Sequence, residues 1–236
     1  MKLHSTLNLP REPKYMLFYG VSGIGKTSLI KTLPEPSKVL VLDTESGLAS
    51  LQKDGVEVAY KPLAYNDAGA LLSEAERFEE FKKFTQYIQT PECTSRFNVL
   101  FVDSLTEIAQ NIHRHMKEKH GDGFKLWGEY TAAMQDLIKF FRDLKHYTVI
   151  FTALEEYVED KETGLASYFP SVGGRKVKDA ILPAFDLVAR MVVAEDDKRI
   201  LVTKTTKKTQ AKDRLGVLAN PEEPNLTIIM KKMENR

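Results

Sequence analysis

Apolar runs along this chain alternate with segments whose apolar positions recur every three or four residues. That is the pattern of a largely parallel α/β sheet with helices between its strands. "YMLFY" at 15–19, "KVLVLDTE" at 38–45, "FNVLFVDS" at 97–104 and "YTVIFTAL" at 147–154 are nearly continuous apolar runs, as strands covered on both faces tend to be. "VEVAY" at 56–60 predicts a shorter strand. Residues 27–32 predict a short helix stopped by Pro34 and Pro36. Residues 67–89 predict a helix with Leu71, Phe78, Phe81, Phe84 and Ile88 near one face. Ser104 and Glu107 are spaced as a capping box for a helix running to 119. The glycines of "HGDGFKLWGE" at 120–129 then interrupt, and a second amphipathic helix carries Met134, Leu137, Phe141 and Leu144.

The C-terminal part is less regular. Residues 155–176 read as an irregular stretch, longer than the roughly 12–15 residues of an ordinary connector and therefore functional or mobile. A short helix is expected near 178–185. "DLVARMVVAE" at 186–195, the turn Asp196 and Asp197, and "KRILVTKTT" at 198–206 predict a hairpin at the sheet's edge, and "LTIIM" at 226–230 a last short strand.

The 236 residues, 42% of them hydrophobic, suffice for one sizeable core. A net charge of +1 excludes a bulk electrostatic attraction to nucleic acid, so any basic surface has to be local. The single cysteine, Cys93, has no internal disulfide partner, which fits a reducing compartment; in the polar stretch "TPECTSRF" it reads as an unreactive loop or surface thiol. No apolar secretory core opens the chain and no run approaches the roughly 20 residues that span a bilayer. A soluble, cytoplasmic protein without a membrane partner is the expectation. His113 and His115 in "HRH" point to different faces of a helix and read as solvated surface.

The chemistry starts at 18–29, "FYGVSGIGKTSL". Gly20, Gly25, Lys26 and Thr27 satisfy G-x-x-x-x-G-K-[ST] between a predicted strand and a predicted helix. The backbone of Gly20, Val21, Ser22, Gly23, Ile24, Gly25, Lys26, Thr27 and Ser28 would cradle the phosphates of ATP. Lys26 would set its charge on the β/γ-phosphates, and the Thr27 hydroxyl would ligate Mg²⁺. Asp103, ending an apolar run, is the candidate carboxylate on the Mg²⁺ side, with helix capping as its alternative role. In AAA+ ATPases an acid follows that aspartate directly; Ser104 stands there instead, so the base that activates water has to come from elsewhere. Asp43 and Glu45 end the strand after the cradle helix, and Glu107 is a rival already explained by capping.

On "VLVLDTE" the chain resembles the RecA-like ATPases, in which a glutamate after such a strand is catalytic; Glu45 takes its place, its other reading being a solvated loop acid. More specifically, the chain resembles the compact phage ATPases of the Sak type, associated with single-strand annealing and recombination. The matching pieces are "YMLFYGVSGIGKTSLIKTLP", "KVLVLDTESGL", "FNVLFVDSLTEI", "KLWGEY", "VIFTALEE", "GGRKVKDAILPAFDLVARM" and "TQAKDRLG", which cover most of 14–215. The resemblance implies an α/β fold: a single RecA-like P-loop NTPase domain with a mainly parallel sheet flanked by helices and a C-terminal antiparallel hairpin. An extended arm would occupy 1–13, and the core with its basic hairpin and short tail 14–236. The Gln or His that senses the γ-phosphate in such proteins has no counterpart: Leu154 stands near that place, with Thr152 and Glu155 as substitutes.

The same resemblance assigns single-stranded DNA to two loops, here 119–129 and 155–178. The first offers His120, Lys125 and Trp127. The second offers Tyr157, Tyr168, Phe169, Arg175, Lys176 and Lys178, with Gly173 and Gly174 between. Cations among aromatics suit a sequence-tolerant groove, each base stack contributing about 1–3 kcal/mol; Trp127 reads equally as a core residue of the next helix. The late cluster Lys204, Lys207, Lys208, Lys212 and Arg214 reads as edge protection or as a backbone-binding surface. The resemblance adds a third reading, in which Lys212 and Arg214 reach a neighbouring subunit's γ-phosphate, a role worth about 10³ or more in rate. The implied protein is a Mg²⁺-dependent ATPase, DNA-stimulated, homo-oligomeric, located in the host cytoplasm if phage-encoded, with a single-strand-binding or recombination protein as a further partner. Two other classes stay open: a small-molecule phosphotransferase with 155–176 as its lid, and an ATP-dependent switch or scaffold acting through protein partners.

Overall fold

The computed structural model describes residues 14–159 and 164–234. The expected arm at 1–13 lies outside the described residues. The strands are β1 (Tyr15–Gly20), β2 (Val39–Asp43), β3 (Ala59–Pro62), β4 (Val99–Asp103), β5 (Thr148–Glu159), β6 (Ala166–Pro170), β7 (Leu187–Val193), β8 (Arg199–Val202) and β9 (Lys212–Asp213). They form one sheet in the order β3-β2-β4-β5-β1-β7-β8. Strands β3, β2, β4, β5, β1 and β7 are parallel, and β8 returns antiparallel as the expected edge hairpin. Off this path, β6 pairs with β5 and β9 with β7, both antiparallel. The helices are α1 (Ala49–Lys53), α2 (Glu74–Tyr87), α3 (Pro91–Arg96), α4 (Leu105–His120), α5 (Phe124–Arg142), α6 (Arg175–Ile181) and α7 (Leu226–Glu234).

Continuous apolar strands follow from a sheet buried on both sides. Tyr15, Leu17 and Tyr19 of β1, with Leu100 and Val102 of β4 and Val149 and Phe151 of β5, face a core completed by Phe84 of α2, Ile108 and Ile112 of α4, and Met134 and Phe141 of α5. Met16 and Phe18, with Val41, Phe101, Ile150 and Met191, face the opposite core, closed by Leu29 and Ile30 after the Gly-rich loop, Leu51 of α1, and Leu226, Ile229 and Met233 of α7. Consecutive residues point to opposite faces, so each strand feeds two cores.

Several sequence expectations are corrected. "LTIIM" is the start of α7, not a strand: Leu226, Ile229 and Met233 recur at helical spacing and are buried. Where an irregular stretch is expected at 155–176, residues 155–159 continue β5, which runs twelve residues, and 166–170 pair antiparallel with it as β6. The anchors of this pair come from distant elements. Arg190 donates to both carboxylate oxygens of Glu155 at 2.8 and 3.2 Å, and Tyr19 Oη donates to Tyr168 O at 3.1 Å. The helix expected from 67 begins at Glu74, because Asn66 Oδ1 accepts the Ala68 and Ala70 N–H groups in a turn and Ser73 with Glu76 forms the true capping box. The third strand is Ala59–Pro62 rather than 56–60, its register set by pairing Leu40 with Ala59. Cys93 is buried inside α3, not on a surface loop. His113 packs against the Trp127 and Tyr130 rings, and His115, though exposed, stacks on Phe78, so neither is simply a solvated side chain. No helix among the described residues is long and apolar enough to cross a membrane.

Candidate active site

Strand β1 ends at Gly20 between β5 and β7, and the Gly-rich loop leaves from the carboxyl end of the sheet. The short helix expected after it is present as a 3-10 helix, Thr27–Thr32. Lys26 is buried under the loop, its Nζ donating to the carbonyls of Gly20 at 3.0 Å and Val21 at 2.8 Å. Burial pushes its pKa below the ordinary lysine value, while the charges of Asp103 and Glu45 pull it back. The Thr27 hydroxyl donates to Asp103 Oδ2 at 2.6 Å, and the Thr152 hydroxyl holds the other carboxylate oxygen. Asp103 is thereby fixed at the end of β4, 3% exposed, facing the loop from across β5.

The end of β2 is tied to the end of β4 through Thr44. Its N–H and hydroxyl both donate to Asp103 O, at 2.8 and 3.0 Å, and its Oγ1 accepts the Ser104 N–H at 2.8 Å. Asp43 turns the chain, accepting the N–H groups of Glu45 at 3.3 Å and Gly47 at 3.2 Å; burial raises its pKa. The peptide between Asp103 and Ser104 is cis. Ser104 then has two tasks: it caps α4, and its hydroxyl donates to Glu45 Oε1. Glu45 is held beside Asp103 in this way, with its outer side exposed. Desolvation pushes the Glu45 pKa above the usual carboxylate range, and the Ser104 hydrogen bond opposes that rise. The residue after Asp103 is therefore no acid, yet it presents one, delivered from β2.

This donor set fits Mg²⁺. A hydroxyl and a carboxylate, both hard oxygen ligands, lie together at the mouth of the loop, and no group of three His, Cys, Asp or Glu among the described residues competes as a protein-only metal cage. Of the sensor substitutes, Thr152 sits on Asp103 and Glu155 is committed to Arg190; Leu154, near the sensor's own place, donates its N–H to Thr106 Oγ1 at 2.9 Å. Glu107, the rival base, is paired with Arg114 at 3.3 Å.

The two DNA-loop candidates converge, although neither is a loop as expected. Lys125 and Trp127 lie on the first turns of α5, and Arg175 and Lys176 open α6. Tyr130 donates its hydroxyl to Val172 O at 2.8 Å, and a methyl group placed on Gly174 would lie 3.8 Å from the Trp127 ring. Gly173 has φ +101°, and any Cβ there would come within 2.7 Å of the Tyr130 ring, so only glycine lets the two segments meet. Trp127 is 44% exposed, Arg175 93% exposed, and Lys125 and Lys176 are exposed too. Lys178 does not belong with them. It is buried, paired with Glu156, with its Nζ 4.5 Å from the Phe169 ring centre. Its charge is consumed inside the fold.

Lys212 and Arg214 lie at the other end of the strands. Strand β9 pairs with the start of β7, and both side chains donate to the carbonyls of Pro183 and Phe185. Neither reaches this chain's own loop. A residue that sequence reasoning misses does: Arg199, at the start of β8, rests on Gly25. Its position inside "KRILVTKTT" holds no signal, since only the β7–β8 pairing brings it there.

The family described as an AAA domain matches residues 12–215. No curated protein matches the chain. Among solved structures, the assembled ATPase EscN of the enteropathogenic E. coli type III secretion system is similar at 14% identity and TM-score 0.47, over 76% of this chain and 43% of that one. A prototypical type III secretion ATPase of pathogenic bacteria is similar at 13% identity and TM-score 0.47, over 77% of this chain and 52% of that one. This chain thus spans about half the length of those proteins or less. With the family match covering residues 12–215, from before the Gly-rich strand to beyond β9, the chain belongs to the AAA domain family.

Proposed function

We propose that this protein is a Mg²⁺-dependent ATPase of RecA-like, Sak-type character that binds single-stranded DNA and promotes annealing or strand pairing in phage recombination. The backbone of residues 20–28 receives the phosphates of ATP, and Lys26 leaves its carbonyl partners to set its charge on the β/γ-phosphates. Thr27 and Asp103 hold Mg²⁺, which when bound neutralises charge on the phosphate oxygens. Glu45 orients a water molecule and accepts its proton as the water oxygen bonds to the γ-phosphorus. The bond from that phosphorus to the bridging oxygen breaks, and ADP and phosphate leave.

The observation that carries the DNA half of this reading is strand β5. Within five residues it runs from Thr152, hydrogen-bonded to Asp103, to Glu156, paired with Lys178 of the helix that Arg175 and Lys176 open. A change at the phosphate end has a short, rigid path to the exposed Trp127 and its cations. Homo-oligomerisation belongs to the same proposal; for Lys212 and Arg214 to act on a neighbour's γ-phosphate, both have to leave the Pro183 and Phe185 carbonyls.

Trp127 is the chain's single tryptophan, so its emission reports this surface alone. Single-stranded DNA is expected to quench it by stacking. Lys125→Ala and Lys176→Ala are each expected to reduce the slope of log affinity against log salt by about 0.7, the share of a single phosphate. Emission unchanged by DNA at low salt contradicts the DNA half of the proposal. The Glu45 assignment has its own signature. Ser104→Ala removes the hydrogen bond that lowers the Glu45 pKa, so the fall in ATPase rate on acidification is expected to begin at a higher pH than in wild type. An unmoved or downward-shifted acidic limb contradicts it.

A further inference from the structure

Arg199 opens β8 opposite Val193, so it stands at the carboxyl end of β7, level with the Gly-rich loop. A methyl group placed on Gly25 would lie 3.3 Å from its Nη1 and 3.4 Å from both its Cζ and its Nε. Equal distances to the carbon and its nitrogens describe a point over the face of the guanidinium, not at its edge. The side chain is exposed and makes no hydrogen bond or ion pair among the described residues, whereas the preceding Lys198 is paired with Asp196 at 2.7 Å. A flat cation thus lies against the loop with no partner among the described residues.

The sheet order says which half of a nucleotide it meets. Asp103 ends β4 and Glu45 follows the end of β2, both on one side of β1, while β7 and β8 lie on the other. A triphosphate whose γ end points to Asp103 and Glu45 has its nucleoside leaving toward β7 and β8, where Arg199 waits. We infer that Arg199 binds the nucleoside half of the nucleotide, its guanidinium plane stacking on the base. The inference rests on the reading of residues 20–28 as the phosphate site.

The test compares two probes by calorimetry, Mg-ATP and Mg-tripolyphosphate, the second lacking any nucleoside. Arg199→Ala is expected to weaken ATP about tenfold and to leave tripolyphosphate within about twofold. Arg199→Lys is expected not to restore ATP affinity, because an ammonium has charge but no plane. Equal losses for both probes make Arg199 a phosphate ligand and overturn the inference; unchanged ATP affinity overturns it as well. If wild type binds neither probe, the phosphate-site reading falls together with it, an outcome distinct from wild-type binding that Arg199→Ala leaves untouched.

Discussion

Glu45→Gln is expected to lower ATP turnover by about 10²–10⁴-fold, the usual contribution of a positioned general base, while ATP affinity stays within about twofold of wild type. Glutamine keeps the volume of the side chain and an oxygen that accepts the Ser104 hydroxyl, so the link between β2 and β4 survives. Lys26, Thr27 and Asp103 are untouched, and binding should follow them. What the amide cannot do is take a proton from water. Phosphate release under saturating ATP, beside direct ATP binding, separates the two quantities. Near-normal turnover places water activation elsewhere. An equal loss of binding makes Glu45 a structural acid.

The largest stability effect is expected at Glu156. Its carboxylate is the ionic partner of Lys178, whose side chain is only 6% exposed. Glu156→Ala leaves that ammonium buried and unpaired, at a cost of about 3–5 kcal/mol, or a fall in Tm of roughly 10 °C for a chain of this size. Adding Lys178→Met removes the stranded charge and fills the space beside Phe169, so the double variant should recover much of the loss. Its affinity for single-stranded DNA should match wild type, because Lys178 offers no charge to solvent. A double variant that folds normally but binds DNA several-fold more weakly would return Lys178 to the DNA surface.

Much of the fold is legible in the chain because both faces of the sheet are buried. Runs such as "VLFVD" leave no amphipathic ambiguity; Gly20, Lys26 and Thr27 stand out by their spacing, and Asp103 by its place at the end of such a run. Short apolar runs at the periphery are different: "LTIIM" suits a strand or a helix until Thr32 receives it, its Oγ1 accepting the Leu226 N–H at 2.8 Å. The β5–β6 pairing is hidden for an electrostatic reason. Glu155 and Glu156 look like the end of a strand, but Arg190 and Lys178 neutralise them and let the strand continue. The site follows the same division. Glu45 is visible through resemblance. The devices that hold it, Thr44 across to Ser104 and Ser104 back to Glu45, join residues about sixty positions apart. Arg199 meets Gly25 only through the pairing of β7 with both β1 and β8.

The central claim, that hydrolysis at this loop is coupled to single-stranded DNA, is tested most directly by steady-state ATP hydrolysis with and without that DNA at two salt concentrations. Wild type is compared with Lys26→Ala and Glu45→Gln. The expected result is a turnover that DNA raises in wild type, less at the higher salt, and that neither variant shows. A wild-type turnover that DNA leaves unchanged at both salts contradicts the coupling.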